Sequence, residues 1–165
     1  MAERDPYSKV VDALWVMLEA NSAFTDLVKA GNRIKFTGTN RDPIKREVAS
    51  AGLPEVRIIM TGSTPHPGNT SASSRDTVTF EVQVSSGDQR LDAVHLPLRW
   101  VIFRALAGAY TALGTIEWNS KAFVKNVLPQ TVGDGVSDAD LNRGIQGWSA
   151  VWAVEIDCWF DTSDL

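Results

Sequence analysis

An α+β fold, with a mainly antiparallel sheet of about four or five strands packed by an N-terminal helix and a long central helix, is predicted by three patterns in the sequence. Val78, Phe80, Val82 and Val84 alternate with Thr77, Thr79, Glu81, Gln83 and Ser85, the period-two mark of a half-buried strand. Trp148, Ala150, Trp152, Val154, Ile156, Cys158 and Phe160 alternate in the same way with Ser149, Val151, Ala153, Glu155, Asp157 and Trp159. Between these strands Leu91, Val94, Leu98, Val101, Ile102, Ala105 and Leu106 recur at helical spacing, giving a packing helix that runs to about Ala107. Pro97 inside it predicts a kink or a restart, because it removes one backbone donor. The 165 residues fit one domain, 1–165, able to bury roughly 70% of its unfolded surface.

The remaining elements follow in order. Asp5 before Pro6 starts a helix, since Asp accepts from a free backbone N–H and Pro at the first helical position loses nothing. Val10, Leu14 and Leu18 form its apolar stripe, which ends near Ala20. Asn21 or Ser22 caps a shorter helix that buries Phe24, Leu27 and Val28, and Gly31 fits the left-handed position that commonly ends one. Arg33 to Thr37 reads as a short strand, and Asp42-Pro43 as the start of a helical turn or two before Gly52. Val56, Ile58 and Met60 alternate with Arg57, Ile59 and Thr61 as a strand with one buried face. Two projecting loops are expected where the apolar period stops: residues 62–75, rich in Ser, Thr, Gly and Pro, and residues 129–147, rich in Gly and Asp. Between the central helix and the second loop, Thr115 to Trp118 and Ala122 to Leu128 read as short strands.

Composition narrows the function. Hydrophobic residues are 44% and charged residues 22%, an ordinary globular balance. A net charge of −4 argues against a dedicated nucleic-acid binder. Among Lys35, Arg41, Lys45 and Arg46, the interspersed Asp42 and Glu47 point to a solvated face. Cys158 is the sole cysteine, which excludes an intrachain disulfide and reads as a small core residue. The uncharged stretch Ala105 to Ile116 is too short to span a bilayer, and the charged start of the chain lacks a signal peptide's apolar segment. A protein made and used in the cytoplasm, with no membrane partner, is the expectation.

No catalytic, cofactor or metal site emerges. His95, beside Val94 and Leu96, reads as a hydrogen-bonded structural histidine rather than a general base, and His66 lies between two prolines in the first loop. Asp138, Asp140 and Asn142 match the opening of a calcium loop, but Arg143 stands where the glycine belongs and Ser149 where the final glutamate belongs. Ser137 with Asp140 instead resembles a capping pair. Glu155 and Asp157 share one strand face. They read as surface carboxylates or, in a ring, as the lining of a channel whose negative charge keeps passing DNA from sticking. Trp159, opposite Trp152 and Phe160, is a candidate interface anchor. The enzymatic alternative is a metal-dependent hydrolase using Asp134, Asp138, Asp140 and Glu155.

The order of these features resembles the tail terminator, or tail completion, proteins of tailed bacteriophages. The resemblance lies in layout from about Val10 to Phe160: the helix VVDALWVMLEANSAF, the closing LVKAGNRI, the strand LPEVRII, a Ser/Thr/Gly loop, the strand TVTFEVQVSS, a helix opening GDQRLDAV, and the final strand WSAVWAVEIDCWF. Residues 129–147 are longer than such proteins usually have between their last strands. The resemblance implies a homo-oligomeric ring, typically of six copies, that sits in the virion between tail tube and neck. Its partners would be further copies of itself, the tail tube protein and a neck connector or stopper protein. The head-side connector is itself the alternative structural role. On this reading His66, Asn69, Asp134, Asp138 and Trp159 are the candidate interface residues, and Glu155 and Asp157 the candidate channel lining.

Overall fold

The computed structural model describes residues 5–35, 53–70, 73–86, 91–133 and 146–159. Helix α1 spans Pro6–Glu19 and opens as the sequence predicts: Asp5 accepts from the Ser8 N–H at 2.8 Å and Pro6 occupies the first turn. Asn21 caps α2, Ser22–Leu27, by accepting from the Phe24 N–H at 3.4 Å. The end of α2 departs from expectation. Gly31 lies inside a 3₁₀ turn, Ala30–Asn32, rather than in a left-handed position. The terminal carbonyl, that of Val28, is instead satisfied by the Arg33 guanidinium at 2.8 and 3.0 Å, so no glycine cap is needed.

The strands β1 (Arg33–Ile34), β2 (Glu55–Pro65), β3 (Ser73–Ser86), β6 (Val124–Gly133) and β7 (Gln146–Trp159) form one sheet in the order β1-β2-β3-β7-β6. Only β1 runs parallel to its neighbour. The fold is thus α+β with a five-stranded, mainly antiparallel sheet. A two-stranded ribbon, β4 (Glu117–Trp118) with β5 (Lys121–Ala122), precedes β6. The strand part of the Arg33 to Thr37 expectation holds for Arg33–Ile34; residues 36–52, including the Asp42-Pro43 turn, lie outside the described residues.

The core lies on one sheet face. Val78, Phe80, Val82 and Val84 of β3 and Trp148, Ala150, Trp152, Val154, Ile156 and Cys158 of β7 are all buried. They pack under Val10, Leu14 and Leu18 of α1 and under the central helix α3, Leu96–Ala107, through Leu98, Ile102 and Leu106. The helix restarts at Pro97: Leu91–His95 form a π-helical turn, and α3 begins with the proline in its first turn, where its missing N–H removes no bond. A further short helix, α4, spans Ala109–Leu113.

Both predicted loops are shorter than residues 62–75 and 129–147. β2 continues to Pro65 and β3 begins at Ser73, because hydroxyl side chains sustain the ladder without any apolar period. Thr61 donates to the Thr79 carbonyl, Thr64 pairs with Thr77, and a bulge between Met60 and Gly62 takes up the register shift. Met60, expected on the buried face, is 50% exposed at that bulge. In the second region β6 runs on to Gly133 and β7 starts at Gln146, with Pro129 tolerated because β6 is an edge strand. Residues 134–145 lie outside the described residues.

Candidate interaction surfaces

The antiparallel pairing of β3 with β7 defines two ends of the sheet, and each gathers a different set of side chains. At one end the β2–β3 turn folds back on itself. The His66 N–H donates to the Arg75 carbonyl at 2.8 Å, and the Asn69 side-chain oxygen accepts from the Arg75 N–H at 2.7 Å. Asp76 is the hub. Its carboxylate accepts from the Tyr7 hydroxyl at 2.8 Å and from Asn69 Nδ2 and the Ser74 hydroxyl at 3.3 Å each. This network ties the hairpin to the start of α1.

Next to it, Arg75 Nη2 meets Asp157 Oδ2 at 3.1 Å, a bond made possible because register places Arg75 directly opposite Asp157. His66, Gly68, Asn69, Ser73, Arg75 and Asp157 surround a pocket of about 190 Å³. Burial pushes the Tyr7 hydroxyl up to about 12, with the Asp76 hydrogen bond and charge adding to it. Burial also pushes the Cys158 thiol up to about 11, with the carboxylates of Asp76 and Asp157 assisting. Both groups therefore stay protonated at neutral pH, so Cys158 presents no thiolate nucleophile.

At the other end α3 exposes a second apolar stripe. Leu96, Trp100 and Phe103 are 45%, 62% and 37% exposed, and the Trp100 and Phe103 rings stack with centroids 6.4 Å apart. Together with Arg99 and Trp148 they line a groove of about 310 Å³. The Arg99 guanidinium lies 5.6 Å from the centre of the Trp148 ring. The indole N–H of Trp148 is buried and has no hydrogen-bond partner among the described residues. Nearby, His95 is buried with its Nδ1 2.8 Å from the Ser86 hydroxyl, the structural role the sequence assigns it.

Of the residues singled out in the sequence, the structure brings His66, Asn69 and Asp157 to one pocket, and the end of β7 brings Trp159 opposite Ser73 beside it. Asp134 and Asp138 lie outside the described residues, as does Asp140. Asp157, expected on the channel lining, is 8% exposed and paired with Arg75. Glu155, on the same face, is half-buried. Among the described residues no group of three or more His, Cys, Asp or Glu could hold a metal ion, and no helix is long and apolar enough to cross a membrane.

The groove escaped the sequence reading. Leu96, Trp100 and Phe103 have helical spacing of their own, one face away from Leu98, Ile102 and Leu106, so the helix is apolar on two sides. That two-sided pattern on a helix with only one sheet to pack against was the available signal.

No protein-family model matches the sequence, and no curated protein matches it. Among solved structures, the virion of a native gene transfer agent particle contains a similar chain, with a TM-score of 0.52 at 10% identity. The match covers 89% of this chain and 93% of that one. At this identity the likeness establishes a shared fold, which extends over nearly the whole of both chains.

Proposed function

We propose that this chain is a structural virion protein, a subunit of a homo-oligomeric ring, six copies on the resemblance, that caps the head-proximal end of a phage tail tube. In that role it ends tube polymerisation and joins the tail to the neck. The observation that carries the reading is the fold match with a chain of a virion particle, which spans nearly the whole of both chains.

The sheet supports the same reading. β6 and the part of β2 beyond Arg57 have no strand on their outer sides among the described residues, and they lie at opposite edges. Unlike edges on opposite flanks are what a head-to-tail ring joins. The sheet face away from the helices carries Thr77, Thr79, Gln83, Ser85 and Ser149 together with half-buried Glu81 and Glu155. Facing a ring's centre, this polar, mildly acidic surface would let DNA pass without binding it.

Negative-stain imaging of the concentrated purified chain tests the proposal. Rings with a central opening are expected, whereas a chain that stays monomeric at every concentration contradicts it.

A further inference from the structure

The α3 groove is aromatic and basic in a chain whose net charge is −4. α3 contributes Arg99 and Arg104 and no acidic residue. An exposed indole flanked by arginine has the composition of a binding hot spot. The chemistry that fits is a segment with apolar side chains and adjacent carboxylates.

The sequence contains such a segment directly after β7: Phe160-Asp161-Thr162-Ser163-Asp164-Leu165, with an apolar residue at each end, two carboxylates and no cation. It cannot fill the groove of its own subunit. Trp148, at the groove, and Trp159, where β7 ends, are eleven residue steps apart on one strand, about 35 Å. Six fully extended residues reach only about 20 Å.

We propose that residues 160–165 of one subunit dock in the α3 groove of the next. Phe160 and Leu165 lie against Trp100 and Phe103, and Asp161 and Asp164 lie beside Arg99 and Arg104. Each subunit then offers one groove and one tail at opposite ends of β7, so the contact is heterologous and repeats from subunit to subunit. The inference rests on the ring reading and names one contact within it.

The test combines a peptide and two variants. A fluorescein-labelled FDTSDL peptide is expected to raise its anisotropy on binding the purified chain, and Trp100→Glu to weaken that binding by at least about tenfold. Arg104→Glu, at an exposed position, gives a second reading should Trp100→Glu misfold. In sedimentation velocity, Trp100→Glu and a chain ending at Trp159 should each lose assembly, while their mixture forms dimers, since it offers one intact groove and one intact tail. An unchanged ring in both variants, or a peptide that fails to bind, overturns the inference and leaves the ring reading standing. A wild-type chain that stays monomeric at every concentration overturns the ring reading and this contact together, even if the free peptide binds.

Discussion

At the hairpin end of the sheet, Asp76 accepts from Tyr7, Asn69 and Ser74, and Arg75 pairs with Asp157. At the α3 end, Trp100 and Phe103 stack in the open and the buried Trp148 N–H has no acceptor among the described residues. The first end satisfies its polar groups within one chain. The second leaves exposed apolar area that a further partner would cover. Burying apolar surface is the main favourable term in association, so the unfinished end is the better place to look for a partner.

The sharpest contrast lies within α3 itself, between its two apolar stripes. Ile102→Ala, on the stripe under which the sheet packs, should cost about 2–5 kcal/mol in chemical denaturation, as large-to-small changes in a closed core do. At the hairpin end Asp76→Ala removes the acceptor of three side-chain donors and should cost about 1–3 kcal/mol in the same assay. It should also lower the Tyr7 and Cys158 pKa values part of the way, burial remaining as the first cause of each shift.

The hairpin end makes stability depend on alkaline pH. Tyr7 is raised from 10.0 to about 12, so the native state holds its proton after the unfolded chain has released it. Its contribution is fully present below pH 10 and is lost as pH rises toward 12. Cys158, raised from 9.0 to about 11, acts in the same direction over a slightly lower window. Denaturation midpoints of Tyr7→Phe measured across pH 8–12 should therefore fall less steeply than those of the wild type; parallel curves would remove Tyr7 from the account. The smallest effect belongs to the open stripe: Trp100→Ala should change the stability of the monomer by no more than about 0.5 kcal/mol, a value that a closed core position would exceed.

Much of the fold was legible because its signals are local. The Asp5-Pro6 start of α1, the Asn21 cap and the alternation through Val84 and through Cys158 each depend on neighbours a few residues away. The Ser/Thr ladder of Thr61 to Pro65 was not legible, since its strands are held by partners on β3 rather than by an apolar period. The pocket at the hairpin end was illegible for a related reason. Arg75 and Asp157 lie 82 positions apart and meet only through register. The α3 groove was written in the sequence as a second apolar stripe, but which stripe the sheet covers is decided by tertiary packing.

The claim at the centre of this account is that the chain works as a part of a virion. Antibody labelling of purified particles, imaged by electron microscopy, tests it most directly. A single label where the tail meets the head is the predicted result. Particles that carry no label, while the chain is abundant in the same lysate, would contradict it.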